Sequence, residues 1–301
     1  MGTVREFSRR TGLRWSLVCV LFWVALCAPA FSQTGDVTLK QLDYNGAKRS
    51  YYEHVPSSYD SSSSSVPLVI FLHGSVNGRT ATVEGAAKLS GWTTRSDEKG
   101  FIAVYPVGGI AVANGTSSPG YKWNTYVFDG KTPDDVGYLL AVINQLKNTY
   151  RIDANRIYMT GHSSGGAMVN TFIGNGHASL IAASAPVSGP WITTFRKSES
   201  LMEPGGPIPV WIWRGEEEDQ ITGTIPRDIQ DEDQKQFWIQ YNQTDQSQRT
   251  VSGSYVTDVF TGGNAEVRFT EVTGAGHLND DDYSLKIWNE FFSRLTLADR
   301  N

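Results

Sequence analysis

Apolar residues in this chain fall into two periods. Seven short runs read as strands: Tyr51–Val55, Leu68–His73, Phe101–Tyr105, Arg156–Thr160, Ile181–Val187, Val210–Arg214 and Val267–Val272. Several are continuously apolar rather than alternating, as expected of parallel strands covered on both faces. Helical patterns lie between them. Pro133–Tyr150 opens with Pro133, Asp134 and Asp135, residues that suit a helix N-terminus, and carries Val136, Leu139, Leu140, Val142, Ile143 and Leu146 on one face. Ser90–Lys99 closes on Gly100, Gly165–Ile173 begins with small residues, and Asp281–Leu295 is a final amphipathic helix. Strand alternating with helix predicts an α/β fold with a mostly parallel, doubly wound sheet, whose sites lie beyond the carboxyl ends of strands.

The N-terminus departs from this pattern. Arg5, Arg9, Arg10 and Arg14 precede an apolar run from Trp15 to Leu26, then Ala28-Pro-Ala and Ala30-Phe-Ser. Twelve apolar residues are too few to span a bilayer, and the arrangement is that of a secretory signal peptide over residues 1–32, with a weak twin-arginine hint at Ser8-Arg-Arg. The catalytic domain is then expected over residues 33–301, secreted or periplasmic, with no stable membrane association after cleavage. Both cysteines, Cys19 and Cys27, fall in the leader, so a disulfide or thiolate chemistry is not expected in the mature chain. Loss of four arginines and one glutamate takes the net charge from −5 to about −8. Nucleic acid is therefore not expected as a partner. The remaining 269 residues suit one large domain. Asn114-Gly-Thr and Asn242-Gln-Thr are glycosylation sequons.

The chemistry centres on Gly161-His-Ser-Ser-Gly165, between a strand-like run and a helix. This is the context of a nucleophile elbow with Ser163 at its tip, where glycines two residues either side relieve collisions on a strained turn. A serine hydroxyl needs a base, and the base needs an acid to hold its tautomer; in this arrangement the chain order is Ser, acid, His. Of five histidines, His54, His73 and His162 precede Ser163, and His177 comes after it with no intervening acid strand. His277, in the glycine-rich loop after Val267–Val272, is left as base. The acid is expected in Glu216-Glu-Glu-Asp219, directly after Val210–Gly215, with Glu218 and Asp219 both open. Two backbone amides must hold the oxyanion: Ser164, after the nucleophile, and Ser75, in the His73-Gly-Ser loop. Trp123, Trp191 and Tyr121 are candidate substrate contacts, and Trp213 is expected in the core. No metal constellation or cofactor motif is present.

Taken in register from about residue 50 to 190, the motifs resemble the secreted α/β-hydrolase esterases of the polyhydroxybutyrate-depolymerase-like group, which includes feruloyl esterases and acetyl xylan esterases. The matching segments are Pro67-Leu-Val-Ile-Phe-Leu-His-Gly, Ser90-Gly-Trp, Gly100-Phe-Ile-Ala-Val-Tyr-Pro, Lys122-Trp-Asn, Asp134-Asp-Val-Gly-Tyr, Tyr150-Arg-Ile-Asp, Arg156-Ile-Tyr-Met-Thr-Gly-His-Ser-Ser-Gly-Gly and Ala185-Pro-Val-Ser-Gly. The resemblance implies an α/β-hydrolase fold, Ser163 as nucleophile, His277 as base and an ester substrate: a small ester or an esterified oligosaccharide. Insoluble polymer is a weaker expectation, since no binding module is visible. Two departures stand out. The family has His-Gly-Thr-x-Asp at the acid loop where this chain has Arg214-Gly-Glu-Glu-Glu-Asp. By spacing from the glycine, the family's Asp falls on Glu218, whereas Asp219, with Ile221 two residues on, copies the pattern after the usual Asp. The family often has Asn where this chain has Ser164. A secreted serine peptidase shares the same triad, and a catalytically inactive binding protein on the same fold is the alternative from another class. Oligomeric state is not legible.

Overall fold

A computed structural model describes residues 36–112, 120–125, 133–191, 203–218, 227–278 and 282–300. The leader (residues 1–32), Asn114 and Asp219 lie outside the described residues. Six parallel strands form the centre of a ten-stranded sheet. Side by side they are β4 (Ile102–Pro106), β3 (Val66–Leu72), β7 (Ile152–His162), β8 (Ala183–Val187), β9 (Val210–Gly215) and β12 (Val267–Val272). This is the α/β-hydrolase fold expected from the sequence.

The continuous apolar runs have the reason assigned to them. Leu68, Ile70 and Leu72 of β3 enter one core layer, with α3 (Asp135–Thr149) and α4 (Ser164–Phe172), while Val69 and Phe71 enter the opposite layer. That second layer is aromatic: Trp92 of α2 (Trp92–Lys99), Tyr158, Trp211, Trp213 and Phe292 are fully buried there. Trp213 is a core residue, as expected. In α3 the Asp134 side chain accepts the Gly137 amide at 2.8 Å, so Asp134 is the cap and Pro133 lies outside the helix.

Antiparallel edges flank the parallel centre, and of their strands the sequence pattern had given only Tyr51–Val55. β1 (Thr38–Tyr44) and β2 (Ala47–His54) form a hairpin through Asn45-Gly46, both at positive φ (51° and 77°), the geometry of a two-residue turn that matches strand twist. At the other edge β10 (Gln246–Ser252) pairs with β11 (Tyr255–Thr261), which pairs with β12. The full order is β1-β2-β4-β3-β7-β8-β9-β12-β11-β10. A small sheet joins β5 (Ile110–Val112) to β6 (Gly120–Lys122), and α1 (Val83–Leu89) and α5 (Arg227–Tyr241) are the remaining helices before the last. That final helix, α6 (Asp282–Glu290), stops short of the expected Leu295, and Phe292–Arg294 form a 3₁₀ turn. The Asn242 sequon is inaccessible as folded: its side-chain amide is buried and donates to the Ile208 carbonyl at 2.7 Å.

Candidate active site

Ser163 joins β7 to α4 with φ 55° and ψ −122°, a backbone state costly for any residue with a Cβ. Two glycines make it attainable. A Cβ on Gly165 would meet the Leu72 carbonyl oxygen at 1.9 Å, and one on Gly161 would meet Gly165 backbone atoms at 2.6 Å. The Ser163 amide donates to the Val187 carbonyl at 2.9 Å, which pins the turn to β8. Ser164 opens α4, so its amide is one of those the helix itself does not use.

The loop after β3 approaches from the neighbouring strand. A Cβ on Gly74 would stand 3.2 Å from the Ser163 Cβ, and the Ser75 hydroxyl donates to the Ser164 hydroxyl at 3.2 Å. The two residues expected to hold an oxyanion are thus adjacent. His73 shapes this loop. Its Nε2 accepts the Gly108 amide at 3.0 Å, which leaves the proton on Nδ1 to donate to the Gly74 carbonyl at 2.6 Å. Burial pushes its pKa down to about 4, so the ring is neutral.

The candidate acid and base come from the loops after β9 and β12, neighbours in the sheet. The loops are laced by backbone: Glu216 N–H to Val272 O at 3.0 Å and Glu217 N–H to Ala275 O at 2.8 Å. Gly215 permits the approach, since a Cβ there would meet the Gly276 carbonyl oxygen at 1.9 Å. Glu218, its side chain 1% exposed, turns Oε2 toward His277 Nδ1 at 3.8 Å, while His277 is 34% exposed and open to a substrate. The other carboxylate oxygen accepts the Gly215 amide at 3.1 Å and the Ser188 hydroxyl. Of the acid candidates, then, Glu218 faces the base, and Asp219 lies outside the described residues. Arg214, which replaces the family's His, does not turn to this site; its guanidinium binds Glu271 and Asp231.

Sequence reasoning missed Ser188. It sits just past β8 at φ 48°, fully buried, donates to Glu218 and accepts the Leu278 amide at 3.1 Å. The segment Ala185-Pro-Val-Ser-Gly carried the signal, since its serine comes after the strand beside the elbow. His162 was missed as well: its ring lies 4.7 Å from that of His277. Burial, reinforced by His277, lowers its pKa to about 4.

The aromatic candidates divide. Trp123 and Trp191, expected as substrate contacts, are 3% and 1% exposed. The Trp123 indole N–H donates to the His73 carbonyl at 2.8 Å, and Trp191 packs on Phe237. Tyr121 is half-buried and lines a groove of about 510 Å³ with Arg49, Tyr52, Thr82, Val107 and Gly109. Its backbone pairs with Val76, next to Ser75. Among the described residues no group of three or more His, Cys, Asp or Glu could hold a metal ion, and no helix is long and apolar enough to cross a membrane.

A model of the prolyl oligopeptidase family matches residues 93–205, which include the elbow but neither Glu218 nor His277. The chain is 29% identical over 176 residues to a bifunctional acetylxylan esterase/xylanase, XynS20E, of Neocallimastix patriciarum, covering 58% of this chain and 22% of that protein. It is 28% identical over 211 residues to poly(3-hydroxyalkanoate) depolymerase C of Paucimonas lemoignei, covering 66% of this chain and 45% of that one. The chain therefore spans less than half the length of these relatives. Acetyl xylan esterase from Aspergillus awamori superposes with a TM-score of 0.62 at 18% identity, covering 85% of this chain and 99% of that one, a likeness of fold.

Proposed function

We propose that this chain is a secreted serine hydrolase of carboxylic esters. The observation that carries the reading is Glu218 turned toward His277 at 3.8 Å, with the His277 ring 4.7 Å from that of His162, the residue before Ser163, and Ser75 beside Ser164. His277 takes the Ser163 proton as the hydroxyl attacks an ester carbonyl. Amides of Ser164 and Ser75 receive the oxyanion, and Glu218 holds the imidazole in the tautomer that accepts at Nε2. Protonated His277 then gives its proton to the departing alcohol, and water attacks the acyl-enzyme by the same route. The 3.8 Å between His277 and Glu218 is a resting distance that closes when the imidazole becomes charged.

The relatives' names favour acetylated xylan, feruloyl esters and hydroxyalkanoate esters as substrates. The signal-like leader favours substrates met outside the cytoplasm. Purified protein is expected to cleave p-nitrophenyl acetate and butyrate, and Ser163→Ala to remove nearly all of that activity; an unchanged rate in the variant overturns the assignment. A panel of methyl ferulate, acetylated xylan oligomers and hydroxybutyrate oligomers ranks the substrates. One observation favours a second reading, a secreted peptidase: the family model over residues 93–205 is that of prolyl oligopeptidases. A chromogenic peptide in the same panel decides it, since a peptidase must cleave it at a rate comparable with the esters.

A further inference from the structure

His162 precedes Ser163 in the chain and lies ring against ring with His277, and the mechanism above gives it no task. It is the last residue of β7, and its ring centroid lies 4.7 Å from that of His277 with the planes inclined at 48°. From the other side Gly74 closes on it: a Cβ there would meet His162 Nδ1 at 3.1 Å. Its Nε2 is buried with no hydrogen-bond partner among the described residues. The backbone of Leu278 favours a charge on the ring, but burial outweighs it, and an imidazolium needs acceptors at both nitrogens. The titratable groups that face it among the described residues are His277 and Glu218.

We propose that His162 is a positioning residue, a neutral ring that braces the His277 imidazole in the plane joining Ser163 to Glu218. The inference rests on the esterase reading of the site. Its physical content is twofold. His277 is one-third exposed on a glycine-rich loop with Gly274 at φ 69°, so its imidazole is free to swing toward solvent on its open side. A ring in contact with one face removes that freedom, and small misplacements of a base slow proton transfer steeply. The brace must also stay uncharged, because a second positive ring at this distance would oppose protonation of His277 in each cycle.

Three variants test the idea with p-nitrophenyl butyrate. His162→Phe keeps a neutral ring, His162→Ala removes it, and His162→Gln keeps polarity without a ring. We expect kcat to fall about 10- to 100-fold in the Ala and Gln variants with KM within about twofold, and the Phe variant to retain kcat within about fivefold. The downfield N–H proton resonance of charged His277 bonded to Glu218 should be sharp in wild type and His162→Phe and broadened in His162→Ala. Wild-type kcat in His162→Ala overturns the proposal, and so does a Phe variant as impaired as the Ala variant. Ser163→Ala, with fluorophosphonate labelling of Ser163, separates the two levels. An inactive, unlabelled Ser163→Ala beside a fully active His162→Ala refutes the brace alone, whereas an active Ser163→Ala refutes the esterase reading.

Discussion

The Ser188 hydroxyl donates to one carboxylate oxygen of Glu218 and accepts the Leu278 amide at 3.1 Å, so one buried serine on β8's carboxyl end ties the acid loop to the base loop. Glu218 Oε1 has the Gly215 amide as its other partner, at 3.1 Å. Removing the hydroxyl loosens the carboxylate and the His277 loop together. Ser188→Ala is expected to lower kcat about 10- to 100-fold with little change in KM, by steady-state kinetics on a p-nitrophenyl ester. Unaltered kcat would show that the bridge has no part in turnover.

Glu218→Gln removes the charge that steadies a protonated His277. Its turnover should drop by about 10³- to 10⁴-fold, as when a triad acid loses its charge. Asp219→Asn should leave kcat within about threefold, in the range of a substitution outside the triad. The reverse order of losses would move the acid to Asp219.

At Ser75 the proposed oxyanion donor is the backbone, and the side chain makes an exposed contact with Ser164 at 3.2 Å. Ser75→Ala should therefore cost less than about threefold in kcat, on the scale of one exposed hydrogen bond. Ser75→Pro, which deletes the N–H, should cost about 10²- to 10³-fold. Circular dichroism on both variants checks that the fold persists, and equal rates for the two would rule out the amide.

The glycines differ in what they tolerate. A Cβ at Gly165 would sit 1.9 Å from the Leu72 carbonyl oxygen, backbone that cannot yield, so Gly165→Ala should destabilise by at least about 3 kcal/mol. At Gly74 the nearest atoms are the side chains of His162 and Ser163 at 3.1 and 3.2 Å. Gly74→Ala should fold and lose activity instead. Thermal melts read beside ester hydrolysis distinguish the two outcomes.

Stability should depend on pH through His73 and His162, whose folded values of about 4 lie below the 6.5 of a free imidazole. As pH falls the unfolded chain binds the proton first. The stability gained by keeping both rings neutral is complete above about pH 6.5 and is lost as pH drops toward 4. Each tenfold weakening of proton affinity corresponds to about 1.4 kcal/mol, so the combined loss is on the order of several kcal/mol. Thermal melts between pH 7 and pH 4 should show a falling midpoint, with a shallower fall in His162→Phe.

The parallel strands and α3 were legible because burial on both faces, or on one, leaves a periodic apolar trace. The outermost strands β1 and β10, largely exposed, left none. Gln246–Ser252 is exposed along its whole length and is a strand because β11 supplies its hydrogen bonds. In α5 the buried positions include Gln230, Asp231 and Gln234, so polar residues interrupt the apolar stripe that marks a helix.

The amino-acid sequence by itself determined the elbow at Ser163, the order of the candidate nucleophile, acid and base, and the alternation that makes a doubly wound sheet. Those are local patterns and chain order, both readable along one dimension. Tertiary structure decided which carboxylate faces His277 among the described residues, that Ser188 bridges two loops, that His162 meets a ring 115 positions away, and that Trp123 and Trp191 are interior. The first three depend on which strand ends become neighbours when β7, β8, β9 and β12 pair, and no spacing within a single segment encodes that distance.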